Sequence, residues 1–343
     1  MRVAMYYANH DLRLEERPIP VIGPGEALIK IHASGICGSD VMEWYRRNKV
    51  PLVLGHEISG EVMEIGKGVS RFRPGDRVVA THHVPCCTCH WCLSGHETVC
   101  DTLLSGTHFD PGGFCEYVRL PGINVERGTW KIADNTGYDA ATFVEPLACV
   151  LRGQNRVNLG SGTSVLVLGC GISGLLHVHL AAVNGVGLIV ATDINEYRRH
   201  AAMRFGATAT IPADQEVAAR FQELNKGRGA GVVIVCATAE QAFHQAFAAV
   251  DRGGTILLFA PTREGVTIPL SINQTFWRRD VTITTTYAGG PADCAAALEL
   301  IEHGRVQVEE MISHRLGLAE IGQGFKLVAE ARESLKVIIR PQE

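Results

Sequence analysis

The stretch Val165–Gly174, VLVLGCGISG, decides the reading of the fold. An apolar run leads into Gly169, Gly171 and Gly174, spaced as G-x-G-x-x-G. A strand that turns through such glycines into a helix is the phosphate-binding turn of a doubly wound dinucleotide fold. Gly169 permits the tight turn, Gly171 lets a pyrophosphate approach the backbone, and Gly174 lets the helix pack closely. The helix opening at Ile172 aims its first N–H groups at the phosphates. Asp193 ends the next apolar run, nineteen residues after Gly174. At that spacing its carboxylate suits ribose hydroxyls and repels a 2′-phosphate, which favours NAD over NADP. Arg198 and Arg199 lean the other way, since an arginine can serve a 2′-phosphate. The alternative is a glycine-rich turn without a ligand.

Outward from this turn the chain alternates strand and helix. SVLVL, LIVAT, ATI, VVIVCA, TILLFA and VTITTT are six strand candidates, as a doubly wound parallel sheet requires. YRRHAAMRF reads as a helix that Gly206 caps. Before about residue 150 the pattern differs. EALIKIHAS, SGEVMEIG, GDRVVAT and FCEYVRL are short strand-like runs punctuated by Gly and Pro, the mark of a compact, mostly β domain. After Gly290 two helical stretches precede a closing strand, KVIIR, which fits either domain. The expected division is 151–286 for the dinucleotide domain, with 1–150 and 287–343 for the other.

The composition narrows the function classes. A chain of 343 residues that is 46% hydrophobic and 20% charged builds ample core and is not disordered. A net charge of −4 argues against a nucleic-acid partner, which needs a basic field. The N-terminal MRVAMYYANHDLRLEE lacks the apolar segment of a signal peptide, and LLHVHLAAVNGVGLIVA is too interrupted to span a membrane. These features lead us to expect a cytoplasmic protein without a membrane partner. In that reducing compartment eleven cysteines suggest metal rather than disulfides.

Five of those cysteines lie in CCTCHWCLSGHETVC, Cys86–Cys100. Cys86, Cys89, Cys92 and Cys100 follow C-x2-C-x2-C-x7-C, a spacing that lets four thiolates surround one Zn2+. Such a cage leaves no open position, so the ion is structural. Cys87 is expected to point away, and His90 and His96 to be solvated. Buried or redox thiols are the alternative. A zinc ribbon for nucleic acid is disfavoured, because the lobe lacks Lys and Arg.

GICGSD, LGHEISG and FVEPLA supply Cys37, His56 and Glu145, with Glu57 beside the histidine. One thiolate, one imidazole and one carboxylate suit a catalytic zinc with an open position. With GGFCEY, the cysteine lobe and the Gly-rich turn in the same order, essentially the whole chain resembles the zinc-dependent medium-chain alcohol/polyol dehydrogenases, the family of sorbitol and threonine dehydrogenases. The resemblance implies a GroES-like β-barrel domain, formed by both chain ends, around an inserted Rossmann domain. It implies two zinc ions per chain and NAD, with Gly169, Gly171, Ile172, Gly174, Asp193 and Arg198 as the cofactor-binding residues. It makes Cys37, His56 and Glu145 the catalytic zinc ligands, with Glu57 behind the ion or on it. Asp40 becomes the acid that orients His56, and Ser39 the hydroxyl that takes the alcohol proton. The reaction implied is hydride transfer from an alcohol carbon to the nicotinamide, with the metal as Lewis acid.

Met42 stands where many relatives carry a proton-relay histidine. His82 and His83 are first read as surface residues, and second as substitutes for that relay. Lys336 is read equally as an exposed lysine or as a partner of Glu57. Trp44 and Phe114, with His108 nearby, are expected to line the substrate pocket. A carboxylate at the zinc in place of a second thiolate leans toward a sugar alcohol or cyclitol, with L-threonine-like substrates second. A non-catalytic zinc- and nucleotide-binding relative is the remaining rival. The family forms dimers and tetramers, so a homodimer or homotetramer is expected.

Overall fold

The computed structural model describes residues 1–105 and 108–343. The chain forms two compact units, Met1–Ala148 with Ala288–Glu343, and Cys149–Tyr287.

The second unit is built on one parallel sheet of six strands. In spatial order these are Ala209–Pro212, Leu188–Asp193, Ser164–Leu168, Ala230–Val235, Val250–Leu258 and Thr282–Thr285. Counted along the chain the order is 3-2-1-4-5-6, that of a dinucleotide-binding fold. Helices Ile172–Val183, Glu196–Arg204, Val217–Leu224 and Glu240–Ala249 join successive strands. Parallel strands covered on both faces must be apolar throughout, and Val165–Leu168 is accordingly fully buried. Each of the six expected strand runs contributes a strand, and VTITTT supplies the sheet edge. Gly169 adopts φ +99°, a left-handed conformation that a side chain resists. A Cβ on Gly174 would collide with the Gly169 carbonyl, which is why the turn and its helix can pack so closely.

The first unit is centred on the strand Ala27–Gly35. It pairs antiparallel with Glu57–Ile65, Tyr117–Leu120 and Lys336–Arg340. The sheet continues through Arg77–Thr81 to Thr129–Lys131 on one side, and to Ile312–Gly317 on the other. KVIIR therefore belongs to the first unit. The inward residues form one core that includes Ile29, Ile31, Ile58, Val118, Phe325 and Val337. Asp139 joins its parts, with Arg315 at 2.6 Å and Arg340 at 2.8 Å. Burial works against the Asp139 charge, but the two guanidinium groups hold its carboxyl below the usual range. That anchors the turn preceding the helix Val144–Arg156, which carries Glu145. No helix among the described residues is long and apolar enough to cross a membrane.

One buried histidine in the second unit serves neither sheet nor turn. His177 is fully buried on the helix Ile172–Val183. Gln154 donates to its carbonyl at 2.8 Å, and Phe259 packs edge-on at 4.6 Å. Burial pushes its pKa down to about 3. The folded chain thus refuses a proton that the unfolded chain takes up below about pH 6.5. This costs nothing above that value and about 2 kcal/mol of stability near pH 5. Urea unfolding of His177→Leu should therefore show a loss between about pH 7.5 and pH 5 that is smaller by about that amount; an unchanged loss would remove His177 from the acid response.

Candidate metal centres and nucleotide-binding turn

The lobe of four cysteines fits zinc on its geometry. Four sulfurs at about 2.3 Å from one ion in a tetrahedron lie about 3.8 Å from each other. Here Cys86 and Cys92 are 3.9 Å apart, Cys89 and Cys92 3.6 Å, and Cys100 and Cys86 3.6 Å. None of the four is in a disulfide. The short helix His90–Leu93 carries Cys92, and the turn before it presents Cys86 and Cys89. Hydrogen bonds from the Thr88 side chain and from the Thr88 and Cys89 amides hold the Cys86 thiol down at about 5. Burial and the neighbouring sulfurs push Cys92 up to about 12, a conflict that a shared cation relieves. Cys87 is exposed at φ +60° and lies outside the cluster, and His90 and His96 are exposed.

The second cluster is assembled by backbone pairing between distant segments. Gly55 adopts φ +94°, and its carbonyl accepts the Gly113 N–H at 2.9 Å. Phe114 N–H reaches the Leu54 carbonyl at 2.9 Å, so GGF clamps the turn that presents His56. Cys37 lies in a turn closed by Asp40, whose Oδ2 accepts the Cys37 N–H at 3.0 Å. The other oxygen of the buried Asp40 faces His56 Nδ1 at 3.5 Å. Burial opposes a charge on His56, but Asp40 and Cys37 lift its pKa well above the ordinary value. Ligand atoms of Cys37, His56 and Glu57 all lie within 4.8 Å of one another.

Glu57 and Glu145 occupy different surroundings. Glu57 is buried against Lys336, which is itself fully buried and donates to it directly. A side chain on Gly35 would collide with both groups, so that glycine makes room for the pair. Burial raises the Glu57 pKa against the pull of Lys336. Glu145 Oε1 instead lies 3.2 Å from His83 Nδ1, and the ligand atoms of His82, His83 and Glu145 form a second group within 4.8 Å. Burial opposes its charge, but His83, His56 and Lys336 keep Glu145 ionised, with a pKa of about 2. The two groups adjoin, since the His56 and His82 rings are 4.8 Å apart. The donor set fits a divalent ion. Cys37 stands with the carboxylates of Asp40, Glu57 and Glu145, and the fixed cations paired with Asp40 and Glu57 are Arg46 and Lys336.

Three expectations change. His82 and His83 are not surface residues: His83 is 8% exposed, and its ring packs at a tilt, 3.7 Å from that of His82 beside His56. Phe114 does not line a pocket: it is 1% exposed and packs edge-on against Phe325 in the core. Lys336 is the buried partner of Glu57 rather than an exposed lysine. Trp44 is half-buried on the short helix Glu43–Arg46, and Ser39 is half-buried between Cys37 and Asp40. Sequence reasoning missed Arg46. Its Nη2 lies 3.5 Å from Ser39 Oγ and 3.7 Å from Asp40 Oδ1. A basic residue nine positions after Cys37 was the one signal available.

In the second unit, Asp193 closes the Gly-rich turn. Its oxygens accept the Cys170 and Asn195 N–H groups, each at 2.8 Å. Arg198 lies half-buried beside Asp193 and Cys170, with Nη1 3.9 Å from where a Cβ on Gly171 would stand. Arg199 donates to the carbonyls of Asp193 and Ile194. The helix begins at Ile172, and Gly171 is its N-cap.

Comparison with known proteins accords with this geometry. Residues 23–128 match the alcohol dehydrogenase GroES-like domain, and residues 173–303 the zinc-binding dehydrogenase domain. Sorbitol dehydrogenase of Gallus gallus is 31% identical over 341 residues, 96% of this chain and 93% of that protein. The chain belongs to the zinc-dependent medium-chain alcohol/polyol dehydrogenases. L-threonine 3-dehydrogenase of Bacillus licheniformis is 33% identical over 331 residues, 94% of this chain and 93% of that one. A Sinorhizobium meliloti protein solved with NADP superposes at a TM-score of 0.88 with 27% identity, covering 99% of each chain. As a family member the chain is an oxidoreductase that uses zinc and a nicotinamide nucleotide.

Two substitutions test the metal centres. Cys92→Ser should lower zinc by one ion per chain and reduce the thermal midpoint, as metal analysis and calorimetry would show; unchanged zinc content would disprove the cage. Lys336→Met leaves the Glu57 carboxylate buried without its partner, so chemical unfolding should register a loss of about 3 kcal/mol. A loss below about 1 kcal/mol would mean that the pair contributes little.

Proposed function

We propose that the chain oxidises a secondary alcohol of the polyol class with NAD+, at a zinc held by Cys37, His56 and one of the two neighbouring carboxylates. The observation that carries this reading is the meeting of Cys37, His56 and Glu57 within 4.8 Å, with Glu145 adjoining. Glutamate, not cysteine, at the position of Glu145 supports a hydroxyl-rich substrate, and the sorbitol dehydrogenase relative points the same way. The threonine dehydrogenase relative keeps hydroxy amino acids as the second reading.

When bound, zinc supplies Lewis acidity and the nicotinamide a hydride acceptor. The chain's own residues do the rest. Asp40 holds the orientation of His56 through Nδ1, leaving the other ring nitrogen for the metal. Lys336 balances the Glu57 charge. Ser39 Oγ accepts the alcohol proton as its own O–H proton leaves toward water, so the serine stays neutral throughout. Met42 cannot pass that proton on, because a thioether does not titrate. His82, beside His56, is held well below the usual imidazole range, by burial first and by neighbouring cations second. It is therefore neutral and packs beside the metal ligand. Asp193, which accepts the Cys170 N–H at the Gly-rich turn, is our candidate acceptor for the ribose hydroxyls, a reading that supports NAD over NADP. Arg198 is the residue that would admit NADP. A homodimer or homotetramer is the assembly we assign on family grounds.

Zinc per chain and NAD+ reduction over polyols, cyclitols and hydroxy amino acids test this directly. Cys37→Ser should remove one zinc and all turnover. Ser39→Ala should keep the zinc yet cut turnover by about 10²- to 10⁴-fold, far more than His82→Ala. Equal losses from Ser39→Ala and His82→Ala would shift the proton-accepting role away from Ser39. Unchanged zinc in Cys37→Ser, with no hydride transfer from any alcohol in the wild type, would favour a non-catalytic binding protein.

A further inference from the structure

Arg46 holds an unusual position. Its Nε donates to the Ser39 carbonyl at 3.3 Å, and its Nη2 approaches Ser39 Oγ at 3.5 Å and Asp40 Oδ1 at 3.7 Å. Its side chain is 13% exposed. The guanidinium has a second edge. Nη1 has no protein partner among the described residues, although a guanidinium offers five donors. The other edge, Nε with Nη2, holds Ser39, whose hydroxyl is the proposed acceptor of the alcohol proton.

A second fixed cation stands nearby. Lys49 Nζ and Arg46 Cζ both approach the Tyr45 ring, at 4.0 and 4.7 Å from its centroid. His108 adds no charge there, because burial first, then Lys49 and His83, hold its imidazole below the ordinary value. Each nearby carboxylate is already engaged. Asp40 faces His56, Glu57 binds Lys336, and Glu145 meets His83. Glu43 accepts the Asn9 N–H at 2.9 Å. Arg46 therefore meets Asp40 on one edge, while its Nη1 edge has no protein partner among the described residues.

Resting on the dehydrogenase reading above, we infer that the substrate carries a carboxylate a few carbons from the reacting alcohol, seated on the open edge of Arg46. Its class is a hydroxy acid of the sugar-acid type rather than a neutral polyol. A planar guanidinium pairs with a carboxylate through parallel charge-assisted hydrogen bonds. A neutral hydroxymethyl group at that place forfeits most of this attraction. Lys49 adds long-range attraction for an anion and repels the ammonium of an amino acid. That separates sugar acids from L-threonine, which shares the carboxylate. Arg46 is thereby a specificity-determining residue, and its grip on Ser39 couples acid binding to the reacting hydroxyl.

Matched pairs test this with the zinc-loaded enzyme and NAD+: D-gluconate against D-sorbitol, and D-galactonate against galactitol, with L-threonine as a third arm. The acids should exceed the matching alcohols in kcat/KM by about 10- to 100-fold, the worth of a charge-assisted hydrogen bond. Arg46→Met should erase that ratio and Arg46→Lys should restore part of it, an outcome that a purely structural role for Arg46 would not produce. Preference for the neutral polyols, or equal losses on both in Arg46→Met, would overturn the inference. So would turnover of L-threonine without any sugar acid. Titration calorimetry of D-gluconate and D-sorbitol into the enzyme with NADH separates this from failure of the dehydrogenase reading. Gluconate binding that Arg46→Met abolishes upholds the carboxylate site even without turnover, and absence of gluconate binding rejects it.

Discussion

The ion pair between Glu57 and Lys336 is the constraint on which the first unit depends. Both side chains are removed from water, and neither charge is tolerable there alone. The pair joins residues 279 positions apart in the sequence. It also fixes register. Gly35 lies opposite Glu57 in one ladder and opposite Ile338 in the next, so the three strands meet where Gly35 offers no side chain. His56 immediately precedes Glu57, and Cys37 follows Gly35 by two residues. The metal ligands are thus placed by the same contact that closes the sheet.

Charge explains why the neighbourhood is so crowded. Carboxylates at Asp40, Glu57 and Glu145 are gathered in a small buried volume, where each ionised group is expensive without compensation. Each has its own basic partner: His56 and Arg46 for Asp40, Lys336 for Glu57, His83 for Glu145. Those partners leave a deficit of positive charge around Cys37 and His56 that a divalent ion completes. The cysteine lobe follows another logic. Its sulfurs are already at tetrahedral spacing, held mainly by local turns, with Arg127 donating to the Cys86 carbonyl from outside the lobe.

Features carried by local sequence were legible in advance. The Gly-rich turn is one, because Gly169 and Gly174 act on atoms within a few residues. The cysteine spacing is another. Cys37 and His56 were legible as residue types, but their meeting rests on pairing between Ala27–Gly35 and Glu57–Ile65. What stayed hidden depends on distant partners. Phe114 reads as a pocket aromatic until Phe325, from the far end of the chain, covers it. His82 and His83 look like surface residues because their burial comes from His56, Phe109 and Glu145. Arg46 sits on a four-residue helix, too short for periodicity to say which way a basic side chain turns.

The discontinuity of the first unit has a consequence for its synthesis. Glu57 leaves the ribosome long before Lys336 exists. At about 5–20 residues per second the interval is roughly 15–60 s. During that time the strand Glu57–Ile65 can pair with Arg77–Thr81, but its buried carboxylate has no cation to meet. The second unit, whose strands all lie between Ser164 and Thr285, can finish folding first. The half-made first unit must meanwhile remain open, with an unfinished edge at Ala27–Gly35 exposed to chaperones and to neighbouring nascent chains.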